Sequence, residues 1–188
     1  MKVREFLNQN SSIGILAAVV LLVISLFIIY REISGTGGPQ PPSDKYFLDL
    51  NTGEIFVGDM QAIPPIETPS GPYEGEPAGV VAHIYTCGDC EKNYAGMQAD
   101  EVQRSGAKIA YLTKHTPEGK RTIERMQSGE VSPEEMGEED MYFSEMVGEP
   151  DGDRWYSMDE DPEAQQLYEN LPDCPEGEQL RQCFPGRR

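Results

Sequence analysis

Positive charge is in short supply in this sequence relative to negative charge. Fifteen Lys and Arg face 33 Asp and Glu over 188 residues, for a net charge of -18. The deficit is uneven. Residues 1–31 hold Lys2, Arg4 and Arg31 against Glu5, a net of +2, so the rest of the chain carries -20. A surface of that sign repels nucleic-acid phosphates, and nucleic acid is excluded as an expected partner. Histidine is scarce, with only His83 and His115, and the single tryptophan is Trp155. There is no G-x-S-x-G elbow, so Ser/His/Asp hydrolysis has no support. Gly35, Gly37 and Gly38 do not sit between a strand and a helix, so they make no phosphate-binding loop. Internal repeats are absent.

What the chain does have is one long apolar run. Residues 13–30 contain no charge and a single serine. At helical rise they cover roughly 27 Å, close to the roughly 30 Å hydrocarbon core of a bilayer. Arg31, by snorkelling, and Ile33 extend the run. A cleaved signal peptide is the rival, because Ser34, Gly35 and Thr36 are small, but its apolar region is normally only about 7–15 residues. The expectation is an uncleaved transmembrane signal anchor over residues 13–33, with the lipid bilayer as its partner. A cytoplasmic N-terminus (1–12) precedes it. A Gly/Pro linker (34–45) and one acidic soluble α+β domain (46–188) follow. Lys2 and Arg4 on the N-side favour a single-pass membrane placement with the soluble domain extracytoplasmic.

Within the domain, Tyr46, Leu48 and Leu50 alternate onto one face, Asn51-Thr52-Gly53 supplies a turn, and residues 55–57 return as a hairpin. Pro64, Pro65, Pro69, Pro72 and Pro77 make residues 62–79 a strap that cannot be helical. Residues 79–86 read as a central strand and 107–113 as the next. Thr116-Pro117-Glu118 has the cap, first-turn proline and acid of a helix to about Gln127. Residues 154–158 read as a late strand around Trp155, Asp161-Pro162-Glu163 opens a short helix, and the end from Leu171 is a loop. The fold class is α+β: an N-terminal transmembrane helix, then a small β-rich domain with a few short helices.

The four cysteines, Cys87, Cys90, Cys174 and Cys183, carry the chemistry that can be argued. A strand ending in C-G-D-C is the usual form of a metal knuckle, and four thiolates at about 2.3 Å suit Zn²⁺. Eight residues between Cys174 and Cys183 depart from that pattern. The alternative, natural to a domain outside the cytoplasm, is two local disulfides, Cys87–Cys90 and Cys174–Cys183. A third reading is a thioredoxin-like redox pair at Cys87 and Cys90, in which the first thiolate sits at a helix N-terminus. Asp89 between them opposes it, because a carboxylate raises a thiol pKa.

Glu149, Asp151, Asp153 and Glu160 approach EF-hand spacing, but Arg154 stands where that loop needs glycine. A solvated acidic face is the simpler reading. His83 shares a strand face with Val81 and Tyr85 and reads as a satisfied core or edge histidine.

The order of these features is an apolar N-terminal run, Y-F-L-D-L-N-T-G-E-I-F-V, A-I-P-P-I-E-T-P-S-G, a strand into C-G-D-C, I-A-Y-L-T-K-H-T-P-E, R-W-Y-S and a terminal C-F-P. It resembles a group of uncharacterised bacterial single-pass membrane proteins. The resemblance covers most of the chain and implies architecture only. The expected function is a non-catalytic one: a membrane-anchored extracytoplasmic interaction or envelope-structural module, with an envelope protein as partner, stabilised by the four cysteines through disulfides or zinc. The alternative is a membrane-tethered thiol-disulfide oxidoreductase using Cys87 and Cys90.

Overall fold

The computed structural model describes residues 11–33, 41–90, 92–131 and 145–186. The chain divides into two compact units, Met1–Pro41 and Pro42–Arg188. The expected N-terminal flank over residues 1–10, most of the linker, and residues 132–144 of the acidic stretch lie outside the described residues.

In the first unit the apolar run is helical, as α1 (Ser11–Ile33). Side chains are described for residues 19–31, where those from Val19 to Val23, Ile24 and Leu26 to Tyr30 are exposed. Among the described residues no helix is long and apolar enough to cross a membrane. The transmembrane anchor expected over residues 13–33 and the single-pass membrane localisation are corrected accordingly. So is the first half of the expected fold class.

The second unit is an antiparallel sheet with short helices. β1 (Asp44–Asp49) and β2 (Ile55–Asp59) form the hairpin that the alternating Tyr46 and Leu48 suggest, with Leu48 opposite Ile55. Its turn closes through the Gly53 N–H, which donates to Asp49 O at 2.7 Å, and Gly53 takes a φ of 71°. That positive φ is cheap only for glycine. Two minor strands, β3 (Pro72–Tyr73) and β4 (Glu76–Pro77), make a ribbon within the proline-rich strap.

The strap leads into β5 (Gly79–Cys87), the centre of the sheet. β1 lies on one edge of it and β6 (Lys108–His115) on the other, so that Val81 is paired with both Phe47 and Thr113. β7 (Glu145–Gly148) and β8 (Trp155–Ser157) continue outward from β6. The last strand, β9 (Leu180–Gln182), returns to the far end of β5, where Tyr85 is paired with both Lys108 and Gln182. Since β6 occupies one edge at both places, β1 and β9 must share the other. Between them Ala82, His83 and Ile84 face a seam, bridged where the Cys183 N–H donates to Ile84 O at 2.8 Å.

Side chains on a strand alternate, so each sheet face has its own packing. On one face Tyr46, Leu48, Val80, Ala82, Ile84 and Leu112 pack with Ile55, Tyr94 and Val102 of helix α2 (Ala99–Arg104). Burying each large apolar side chain contributes about 1.5–3 kcal/mol. The opposite face carries Tyr111 and Val147 under Ala164 of helix α4 (Pro162–Glu169), with Tyr85, Tyr156 and Tyr168 around them. Helix α3 (Pro117–Gln127) starts as its residues dictate: Thr116 Oγ1 accepts from the Gly119 N–H at 3.1 Å, and Pro117 sits at the first turn.

Candidate functional site

Each cysteine is bonded, and the pairing is crossed. Cys87 is joined to Cys174, and Cys90 to Cys183, with Cα–Cα distances of 5.5 Å in both. The physical reason is β9. Its antiparallel pairing with the end of β5, Cys87 opposite Leu180, brings the C-terminal segment alongside the C-G-D-C turn and so within reach of both of its cysteines. The expected local disulfides Cys87–Cys90 and Cys174–Cys183 are therefore corrected. The zinc reading fails as well. Zinc binds thiolates, here every Sγ is in a covalent bond, and among the described residues no cluster of His, Cys, Asp or Glu is suited to a metal ion. A thioredoxin-like pair needs Cys87 and Cys90 as each other's partners, which they are not.

Around the staples, Arg181 Nη1 meets Asp89 Oδ1 at 2.9 Å, tying β9 to the C-G-D-C turn. Gly88 adopts a φ of 84° there and donates its N–H to Gln179 O at 3.0 Å. Cys183 is buried in the main core at 3% exposure, whereas Cys174 is only partly buried.

The second feature lies at the seam. A cavity of about 250 Å³ opens there, over the face shared by Lys45, His83, Thr113, His115 and Glu145. Met60, Pro64, Val81 and Phe184 add apolar wall. His83 is its floor. Gln182 Nε2 lies 3.0 Å from Nδ1, and Thr113 Oγ1 lies 3.0 Å from Nε2. With the Gln182 amide so oriented, its N–H donates to Nδ1. The neutral ring then donates from Nε2 to Thr113, a tautomer assigned from the network. Tyr111 stacks on the imidazole with ring centroids 4.3 Å apart. Burial, with Lys45 as a secondary cause, pulls the His83 pKa down to about 4.

The charges flank this floor from different strands. Lys45, on β1, donates to Ala62 O at 2.8 Å. Burial lowers its pKa, against the attraction of Asp59 and Glu145. Glu145, on β7, has its pKa raised by burial and by Asp159, against the pull of Lys45. Lys45 and Glu145 form no direct ion pair among the described residues, and the Glu145 carboxylate accepts no hydrogen bond from them.

No family model matches this chain, and neither a curated protein nor a solved structure does.

The acidic motif behaves as surface. Glu149 Oε1 meets Arg154 Nη2 at 2.8 Å, and Asp151 Oδ1 accepts from the Asp153 N–H. His83 is satisfied at both ring nitrogens. The residues that sequence reasoning passes over are Lys45, Glu145 and Gln182. A signal exists for Lys45, which is in phase with the inward-facing Phe47 at period two. Glu145 and Gln182 lie in strands of four and three residues, too short for periodicity to register.

Proposed function

We propose that this chain is a non-catalytic interaction module working in an oxidising compartment, the cell envelope or the extracellular space. The observation that carries the reading is the crossed pair of disulfides. Each closes a long stretch of chain, with sequence separations of 87 and 93 residues. Bonds of this kind persist where thiols are not kept reduced, and they stabilise small domains whose cores are limited. The partner is a protein of the same compartment with a basic or neutral surface, since the acidic domain repels anionic ones.

Thiol counting on the full chain recovered without reductant tests this, alongside an insulin-reduction assay. The expected result is zero free thiols, no turnover, and a large fall in Tm on adding a dithiol reductant. Free thiols at Cys87 and Cys90 with catalytic insulin reduction overturn it.

A further inference from the structure

We propose that the seam between β1 and β9 is a binding site for a small zwitterion, an aliphatic amino acid or a dipeptide of that kind. The inference stands on the cavity and goes beyond the disulfide-based reading.

The cavity exists because two strands share one edge of β5 without meeting. β1 covers Gly79 to Val81, β9 covers Tyr85 to Cys87, and His83 is left between them. Convergent polar groups within apolar walls are the usual form of a small-molecule site, and at about 250 Å³ this cavity lies just below the usual range of roughly 300–1,000 Å³, which restricts it to a small ligand. Its polar groups have a definite chemistry. Lys45 uses one N–H on Ala62 O, leaving two for an incoming anion. Thr113 receives the His83 proton, so its own hydroxyl hydrogen is turned outward, with no other hydrogen bond among the described residues. Together they suit a carboxylate.

Glu145 supplies the opposite charge. β5 and β6 stand between its strand and that of Lys45. At about 4.8 Å per strand spacing the two backbones are roughly 14 Å apart, and both side chains lean over the same cavity. Glu145 is half-buried and its carboxylate has no hydrogen-bond or ion-pair partner among the described residues. Leaving a buried charge unmatched is costly, and an ammonium group placed beside it removes the cost. A ligand with one charge of each sign fits both ends. It carries no net charge, so a domain of net -20 does not repel it as it does a simple anion. Val81, Met60, Pro64 and Phe184 offer the apolar contact that an aliphatic side chain needs.

The test is a titration of the oxidised full chain, followed by amide NMR shifts, with L-leucine and glycyl-L-leucine. N-acetyl-L-leucine, which lacks the cation, and L-leucinamide, which lacks the anion, are the controls. Saturable binding by either zwitterion is expected, with each control at least about tenfold weaker, equal to 1.4 kcal/mol. Lys45→Met and Glu145→Gln, on different strands, each reduce affinity at least about tenfold while thermal unfolding stays cooperative. If one variant fails to fold, the other decides. The proposal is overturned by no binding up to about 10 mM, far weaker than a 1 mM Kd. A control binding as tightly as leucine, or a folded variant with unchanged affinity, overturns it equally. None of these outcomes alters the thiol count, so this inference and the disulfide-based reading fail separately.

Discussion

Cys87 and Cys90 stand three positions apart and belong to different disulfides, one to Cys174 and the other to Cys183. The C-terminal segment is thereby fastened on both sides of the C-G-D-C turn. This arrangement can be read directly by non-reducing peptide mapping. Cleavage before Asp89 separates Cys87 from Cys90, and cleavage after Arg181 separates Cys174 from Cys183. The linked products expected are 87 with 174 and 90 with 183. Recovery of a 174–183 link contradicts the crossed topology.

The two bonds should not be equivalent in stability. Their loops are of similar length, and a loop of about 100 residues contributes at most roughly 4.7 kcal/mol by chain entropy. The difference comes from packing, because Cys183 lies in the main core beside Ile84 and Cys174 does not. Cys90→Ala with Cys183→Ala is expected to cost about 1–2 kcal/mol more than Cys87→Ala with Cys174→Ala, from the cavity left in the core. Urea unfolding of the two double variants measures this. Equal midpoints, or a larger loss from the 87–174 pair, count against it.

The hairpin, the central strand, β6 and helix α3 were legible because their signals are local. Tyr46 and Leu48 alternate, Thr116-Pro117 caps, and Gly53 turns. What was not legible depends on partners distant in the chain. β9 has three residues and forms only because the end of β5 offers an edge. Helix α2 follows Gly96, which argues against a helix, but Glu101 accepts from the Gln98 N–H at 2.9 Å and Val102 anchors it in the core. The cavity was hidden for the same reason: Lys45, Glu145 and Gln182 come from three separate strands. The disulfide pairing depends on β9 bringing the C-terminal segment to the C-G-D-C turn, so it could not be chosen from spacing alone.

His83 makes the domain acid-sensitive. Its folded pKa is about 4 against an ordinary 6.5, so between those values the unfolded chain binds the extra proton. Stability is full above about pH 6.5 and falls as the pH drops toward 4, by roughly 3 kcal/mol at most at 1.36 kcal/mol per unit. Glu145, with its raised pKa, works in the opposite direction and partly offsets this at the acidic end. Denaturant unfolding at pH 7.5 and pH 5 should show the loss, and His83→Gln should flatten it. An equally steep profile in the variant assigns the effect elsewhere.

Gly79 is required for space. A Cβ there stands 2.9 Å from Ile66 O and 2.7 Å from Ile66 Cγ1, at the point where the strap bonds to β5 through paired Ile66 and Gly79 hydrogen bonds. A carbonyl in that bridge cannot move aside as a flexible side chain can. Gly79→Ala is expected to destabilise by about 1–3 kcal/mol, as overpacking generally does. Thermal or urea unfolding of the variant checks it, and an unchanged midpoint shows that the strap gives way freely.

The tyrosines on the second sheet face set an alkaline limit. Tyr111 lies 4.4 Å, centroid to centroid, from Tyr168, and its hydroxyl is 3.4 Å from that of Tyr85. Burial pushes the Tyr168 phenol up to about 12, and burial aided by the Tyr85 hydrogen bond pushes Tyr111 well above the ordinary 10. Both folded values exceed the unfolded one, so the unfolded chain releases protons first as the pH rises. The stability these phenols lend is full below pH 10 and is lost as the pH climbs toward 12. Of the nine tyrosines, a subset should therefore ionise only together with unfolding. Absorbance at 295 nm followed beside far-UV circular dichroism distinguishes the cases. Tyr168→Phe should shift the alkaline transition upward once corrected for its own stability at pH 7, since it removes a group whose ionisation drives unfolding. A smooth titration of all nine phenols near pH 10, with the fold intact, contradicts burial of this cluster.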